Sequence, residues 1–256
     1  MSQPVLLVSV RDATEAGVAL AGGAAIIDVK EPAAGSLGMA SAATIAACGK
    51  VVPAGIPWTL AGGELDEAEA AVERLRLTLS ELSQSPVAVK FGLSGWHGRN
   101  WCRAFLAQQA RLPEQVRAIP VAYADALAAH APSVTTVIDE AAGNGLPVVL
   151  VDTFDKSQSG SLLEEASALE ITGWVARGKA AGVSLVLAGR IAAEEIGTVA
   201  GCQPVAVAVR SAVCIGGRLG RIDEACVRNA VIACQATGSA GDVADIRKIL
   251  QKGVSI

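Results

Sequence analysis

Eight short apolar runs alternate with helical stretches along the 256 residues, and this rhythm predicts an α/β fold: one (β/α)8 barrel of the TIM type. Three observations carry that reading. The runs are continuously apolar, which marks parallel strands covered on both faces. They recur every roughly 25 to 35 residues, the length of a βα unit. Eight units in 256 residues match a closed barrel, with a doubly wound open sheet as the runner-up. No linker or shift in composition divides the chain. Residues 1–256 therefore read as a single barrel domain, with 238–256 as a C-terminal extension.

Val5 to Val10 is the first run, with Ser9 and Arg11 at its exit. A helix from Asp12 to Leu20 follows, capped by Asp12 and ended by Gly22 and Gly23. The second strand, Ala24 to Lys30, carries Asp28 and Lys30 with one residue between them, so both side chains leave the same face. Pro32 and Gly35 open a loop, and Ser41 caps a short helix to Cys48. Trp58 to Gly63 is the third strand, with polar Thr59 inside it. Asp66 to Leu82 is the clearest helix, since Ala68, Val72, Leu75, Leu79 and Leu82 recur at three- and four-residue spacing.

Pro86 to Val89 is the fourth strand, ending in Lys90, and a Gly-rich loop leads to the helix Trp101 to Leu112. The fifth strand, Ile119 to Ala122, has Tyr123 and Asp125 at its exit and precedes the helix Ser133 to Ala142. Pro147 to Val151, the sixth, gives way to Asp152, Thr153 and Lys156, and then to a helix from Ser161 to Ala176. Val183 to Ala188, the seventh, ends at Gly189 and Arg190, before the short helix Ala192 to Ala200. Val205 to Val209, the eighth, ends at Arg210 and Ser211. A Gly-rich loop, Ile215 to Gly220, then leads to the last helix, Asp223 to about Thr237.

Composition narrows the function. The net charge of −4, with both signs interspersed, argues against a nucleic-acid partner. No apolar run reaches the roughly 20 residues that span a bilayer, and the first apolar run has no basic flank, so neither a membrane partner nor a signal peptide is expected. The six cysteines form no C-x-x-C pair, which fits buried thiols in a reducing, cytoplasmic location. With only His97 and His130 present, no metal site is expected. No Walker or G-x-G-x-x-G motif occurs, so no cofactor is expected either. The 52% hydrophobic content predicts buried subunit contacts and hence a homo-oligomer.

Barrel active sites lie at the C-terminal ends of the strands. Three of the seven lysines, Lys30, Lys90 and Lys156, sit there, joined by Asp28 and Asp152. Polar residues end any strand, but this concentration exceeds what ending requires. Lysines crowded in a partly dry mouth favour a free amine, which attacks a carbonyl to form a Schiff base, while a second amine moves protons. A second group lies after strands seven and eight: Gly189, Arg190, Arg210, Ser211, Gly216 and Gly217, where barrels commonly bind phosphate. The residues thus point to lysine-based carbonyl chemistry on a small phosphorylated substrate, as in a class I aldolase.

Several motifs carry a resemblance. They are Leu6-Leu7-Val8-Ser9, Ile26 to Pro32 with Gly35-Ser36-Leu37-Gly38, Val89-Lys90-Phe91-Gly92-Leu93, and Ala122 to Ala126. Val151-Asp152-Thr153 with Asp155-Lys156, Leu187-Ala188-Gly189, and Gly220-Arg221-Ile222-Asp223 follow in order. Together they resemble the (5-formylfuran-3-yl)methyl phosphate synthases of methanofuran biosynthesis, also called 4-(hydroxymethyl)-2-furancarboxaldehyde-phosphate synthases. The segment Trp96 to Arg117 and the tail after Gly238 carry none of these motifs. The resemblance implies condensation of two glyceraldehyde 3-phosphates, a small phosphorylated triose, with loss of phosphate and water. It further implies a Schiff base on Lys30, proton transfer by Lys90, and pocket positions for Asp28, Asp152 and Lys156. Another Schiff-base aldolase on a sugar phosphate, or a sugar-phosphate-binding barrel without turnover, remains open on the residues alone.

Overall fold

A computed structural model describes residues 3–80, 82, 84–155 and 159–236. Lys156 and the extension 238–256 lie outside the described residues. Eight parallel strands close into a barrel: β1 (Val5–Val10), β2 (Ile26–Val29), β3 (Trp58–Glu64), β4 (Ala88–Gly92), β5 (Arg117–Tyr123), β6 (Val148–Asp152), β7 (Ser184–Leu187) and β8 (Ala206–Val209). β8 pairs with β1 from Val5–Ala206 to Val8–Val209, which closes the ring.

The helices follow the strands. They are α1 (Ala13–Ala21), α2 (Ala42–Val51), α3 (Ala68–Ser80), α4 (Trp101–Gln109), α5 (Val134–Gly143), α6 (Leu162–Glu165), α7 (Ala168–Ala180), α8 (Ile196–Gly201) and α9 (Glu224–Gln235). Short polar side chains start them. Asp12, Ser41, Ser133, Ser167 and Asp223 each accept a backbone N–H of the first turn. The stretch Ser161 to Ala176, expected as one helix, divides at Ala166, because Ser167 takes the N–H of Glu170 and begins α7. The expected helix Asp66 to Leu82 starts with a 3₁₀ turn, Leu65–Glu67, before α3. The expected loop Ile215 to Gly220 is the turn of a small antiparallel hairpin, β9 (Cys214–Ile215) with β10 (Arg221–Ile222).

Strand alternation sorts the apolar residues into two layers. Val5, Leu7, Ile26, Val121, Leu150, Val186, Ala206 and Ala208 fill the barrel interior. Leu6, Val8, Ile27, Leu60, Val89, Val149, Leu187 and Val207 face outward onto the helices. Trp58, Trp96, Trp101 and Trp174 are buried in that outer layer and act as packing. Among the described residues, no helix is long and apolar enough to cross a membrane.

The same alternation positions the polar groups. Ser9, Asp28 and Thr59 are register neighbours across β1, β2 and β3, so the three share one interior layer. Lys90 pairs with Ala61, one step nearer the strand ends. A β-bulge then intervenes: Ala61 to Glu64 on β3 opposes Lys90 to Gly92 on β4. Gly63, at φ +87°, allows it, and a Cβ on Gly62 would fall 2.5 Å from the Phe91 ring.

Candidate active site

The C-terminal ends of the strands enclose a cavity lined by Asp28, Lys30, Lys90 and Asp152 on one side and by Gly189, Arg190, Ser211 and Arg218 on the other. Asp28 lies at its floor, completely buried. It accepts from Ser9 Oγ at 2.9 Å and from Thr59 Oγ1 at 2.8 Å, and it pairs with Lys90 Nζ at 2.6 Å. Burial alone would push the Asp28 carboxyl up. The charges of Lys90 and then Lys30, with hydrogen bonds from Lys90 and Thr59, instead hold it below the usual carboxylate range. The floor is thus a buried anion paired with an ammonium and tied to β1 and β3 by hydrogen bonds.

Lys30 extends from the end of β2, where Pro32 turns the chain. Its Nζ donates to the carbonyl of Ser36 at 3.3 Å. Ser36 in turn donates to Asp152 Oδ2 at 2.9 Å, and the N–H of Thr153 donates to Asp152 Oδ1 at 2.8 Å. One serine therefore ties the β2 loop to the end of β6. Gly38 closes that loop tightly, since a Cβ there would fall 2.2 Å from the Glu31 carbonyl. Of the five residues expected to carry chemistry, the structure brings Asp28, Lys30, Lys90 and Asp152 into one cavity; Lys156 lies outside the described residues.

The expected phosphate residues divide. Gly189 and Arg190 take left-handed backbone, φ +112° and +48°, and line the cavity with Ser211. A Cβ on Gly189 would sit 3.0 Å from Thr153 Cγ2, so this loop packs directly on the Asp152 loop. Arg190 is exposed and donates to the Ser159 carbonyl at 2.6 Å. Gly216 and Gly217 form the exposed hairpin turn and do not line the cavity. Arg210 reaches the wall, but its guanidinium is engaged elsewhere. It pairs with Glu15 at 2.8 Å and also donates to the carbonyls of Ser9, Arg218 and Gly220. Glu15 is held in addition by Arg11, at 2.9 Å. That arrangement makes Arg210 a brace between α1 and the hairpin.

Sequence reading missed four participants. Ser36 carried no signal beyond its place in the loop motif. Arg218 was hidden among the hairpin glycines. Buried Tyr123 and half-buried Glu64 form a pair beside the site, with the Tyr123 hydroxyl donating to Glu64 Oε1 at 2.6 Å. Burial raises the Glu64 carboxyl despite the hydrogen bonds from Tyr123 and from the Ser94 N–H. Burial, and then the charge of Glu64, lift the Tyr123 phenol well above 10. Gly92 makes room for the pair, since a Cβ there would fall 2.2 Å from both partners. His97, in the Gly-rich loop after β4, is an exposed surface histidine.

Comparison with known proteins places the chain in a family. The model of the 4-HFC-P synthase family matches residues 6–231. A (5-formylfuran-3-yl)methyl phosphate synthase of Methanocaldococcus jannaschii is 30% identical over 238 residues, covering 90% of this chain and 100% of its own. A protein of the same name from Methanococcus maripaludis is 28% identical over 240 residues, covering 90% of this chain and 99% of its own. Among solved structures, phosphoribosyl anthranilate isomerase from Thermus thermophilus superposes with a TM-score of 0.60 at 15% identity, covering 91% of this chain and 100% of its own. Thiamine phosphate pyrophosphorylase from Pyrococcus furiosus gives 0.57 at 12% identity, covering 92% and 98%. At those identities the two structures speak for the barrel alone. The family match extends over most of the chain, and the protein is an enzyme of the 4-HFC-P synthase family.

Proposed function

We propose that this enzyme condenses two molecules of glyceraldehyde 3-phosphate to (5-formylfuran-3-yl)methyl phosphate through a Schiff base on Lys30, in methanofuran biosynthesis. The observation that supports this best is the convergence of Lys30, Lys90, Asp28 and Asp152 in one cavity at the strand ends. In this reading the Lys30 amine attacks one triose aldehyde, and loss of water gives the imine. The imine withdraws electrons from the adjacent carbon, whose proton leaves to a base, and the resulting enamine attacks the second aldehyde. Cyclisation and elimination then yield the furan. Atom balance releases one phosphate and two waters and regenerates the free lysine.

The repeated proton transfers fall to Lys90, whose ammonium Asp28 holds at 2.6 Å. Asp152, oriented by Ser36 and the Thr153 N–H, faces the same space and serves as the second proton carrier or orients an ammonium. Lys156 is assigned to the same pocket on its motif alone. The phosphate-bearing ends of the substrate are placed against the Gly189–Arg190 loop and Ser211. In the same proposal the enzyme needs no cofactor, works on a small triose without nucleic-acid or membrane partners, and is a cytoplasmic homo-oligomer.

The test is product formation by purified protein supplied with glyceraldehyde 3-phosphate, followed by the ultraviolet absorbance of the furan aldehyde. Lys30→Arg keeps the charge and cannot form the imine, so it should abolish turnover. Appreciable turnover in that variant would sink the Schiff-base role. Turnover of the triose to a different product would place the protein with other lysine aldolases.

A further inference from the structure

Two arginines reach the β8 side of the cavity, and their surroundings differ. Arg210 is neutralised by Glu15 and surrounded by carbonyls. Arg218 is half-buried, and among the described residues its hydrogen bonds go to neutral groups: Nη2 to the carbonyls of Gly35 at 2.6 Å and Pro32 at 3.2 Å, and Nε to Pro32 at 3.4 Å. Among the described residues, no carboxylate lies within ion-pair distance of it, and no acceptor is bonded to Nη1. Burial, outweighing the opposing charge of Asp152, draws the guanidinium below the ordinary arginine range. A cation desolvated without a bonded anion is the complement of an anionic ligand.

The backbone is built to deliver this side chain. Gly216 and Gly217 take consecutive left-handed conformations, φ +89° and +74°. A Cβ on Gly220 would fall 2.0 Å from the Ile215 carbonyl. The tight turn leaves Ile215 and Leu219 exposed, at 67% and 61%, while Arg218 lines the cavity. Its two carbonyl contacts lie on the loop between Lys30 and Ser36, so the same residue also roofs the amine.

We propose that Arg218 is the cation that binds the substrate's phosphate monoester, and that Arg210 serves to hold the Arg218 hairpin in place. The phosphate sits between Nη1 of Arg218 and the loop Gly189–Arg190 with Ser211. This assignment rests on the reading of a phosphorylated substrate and names the residue that recognises it. The carbonyl contacts keep the fork oriented before ligand arrives, so little side-chain freedom is lost on binding.

The experiment is calorimetric titration of the full-length protein with inorganic phosphate, for the wild type, Arg218→Gln and Arg218→Lys. A charge-assisted contact predicts about 10- to 100-fold weaker phosphate binding for Arg218→Gln and a smaller loss for Arg218→Lys. Unphosphorylated glyceraldehyde with borohydride reports separately on the Lys30 loop, which Arg218 touches at Pro32 and Gly35: the adduct on Lys30 should still form in Arg218→Gln and should fall by less than phosphate affinity does. Unchanged phosphate affinity in Arg218→Gln, or no phosphate binding by the wild type, would overturn the assignment. So would a parallel fall in both readouts, because that marks a collapsed loop. Absence of any glyceraldehyde adduct in the wild type would instead count against the lysine chemistry, while a loss of phosphate affinity confined to the variants would still uphold Arg218.

Discussion

Replacing Asp28 by Asn tests the floor of the cavity. Asn is the same size, and its Oδ1 can still accept from Thr59 and Lys90. Its amide can face Ser9 Oγ, a hydroxyl that rotates to accept. What disappears is the charge opposite a Lys90 side chain that is only 4% exposed. At 2.6 Å, an effective dielectric of about 20 puts the direct attraction at about 6 kcal/mol, part of which only offsets desolvation. Removing one partner of such a pair typically destabilises by about 3–5 kcal/mol. Urea denaturation at pH 7 should show that loss at unchanged slope.

Two further readings follow from the same variant. Lys90→Met in the Asp28→Asn background removes both charges and should lose less than the two single changes together. The Asp28 carboxyl is depressed in the folded state, so its contribution is fully present above its unfolded value near 3.9 and fades as pH falls through the folded one. The gap between wild type and Asp28→Asn should therefore narrow below about pH 4. A loss under about 1 kcal/mol at pH 7, or a gap that stays constant into acid, would refute the reasoning.

Glu15→Gln leaves the Arg210 guanidinium buried and uncompensated, and should lower stability by about 3–5 kcal/mol, read as a fall of about 10 °C in melting temperature. Glu64 is raised by burial, so wild-type stability drains as pH rises through its folded value; relative to wild type, Glu64→Gln should gain stability from pH 4 to pH 8, checked by denaturant melts. Gly92→Ala should force Tyr123 from Glu64 at a cost of about 1–3 kcal/mol. Tyr123 is the single tyrosine, so alkaline absorbance titration should show tyrosinate at lower pH in that variant than in wild type.

Much of the fold was legible because parallel strands buried on both faces must be apolar throughout, and eight such runs stand out against the helices. Asp28, Lys30, Lys90 and Asp152 were legible for the same reason: a charge inside or just past such a run is costly to bury unless a site there uses it. Arg210 was not, because its partner Glu15 is 195 residues away and meets it only when β8 closes on β1. Glu64 was hidden by the bulge at Gly62 and Gly63, which read as a strand end but in fact adds a residue and brings the acid over Gly92. Arg218 was hidden by a hairpin that looked like a loop. Long-range pairing decided all three, and spacing along the chain carries no record of it.

A covalent bond between Lys30 and the triose can be trapped by reduction. Protein incubated with glyceraldehyde 3-phosphate is reduced with borohydride and digested, and the modified peptide is identified by mass spectrometry. A reduced triose adduct on Lys30, present in wild type and missing in Lys30→Arg, is the expected result. An adduct on another lysine, or none while furan aldehyde still accumulates, would contradict it.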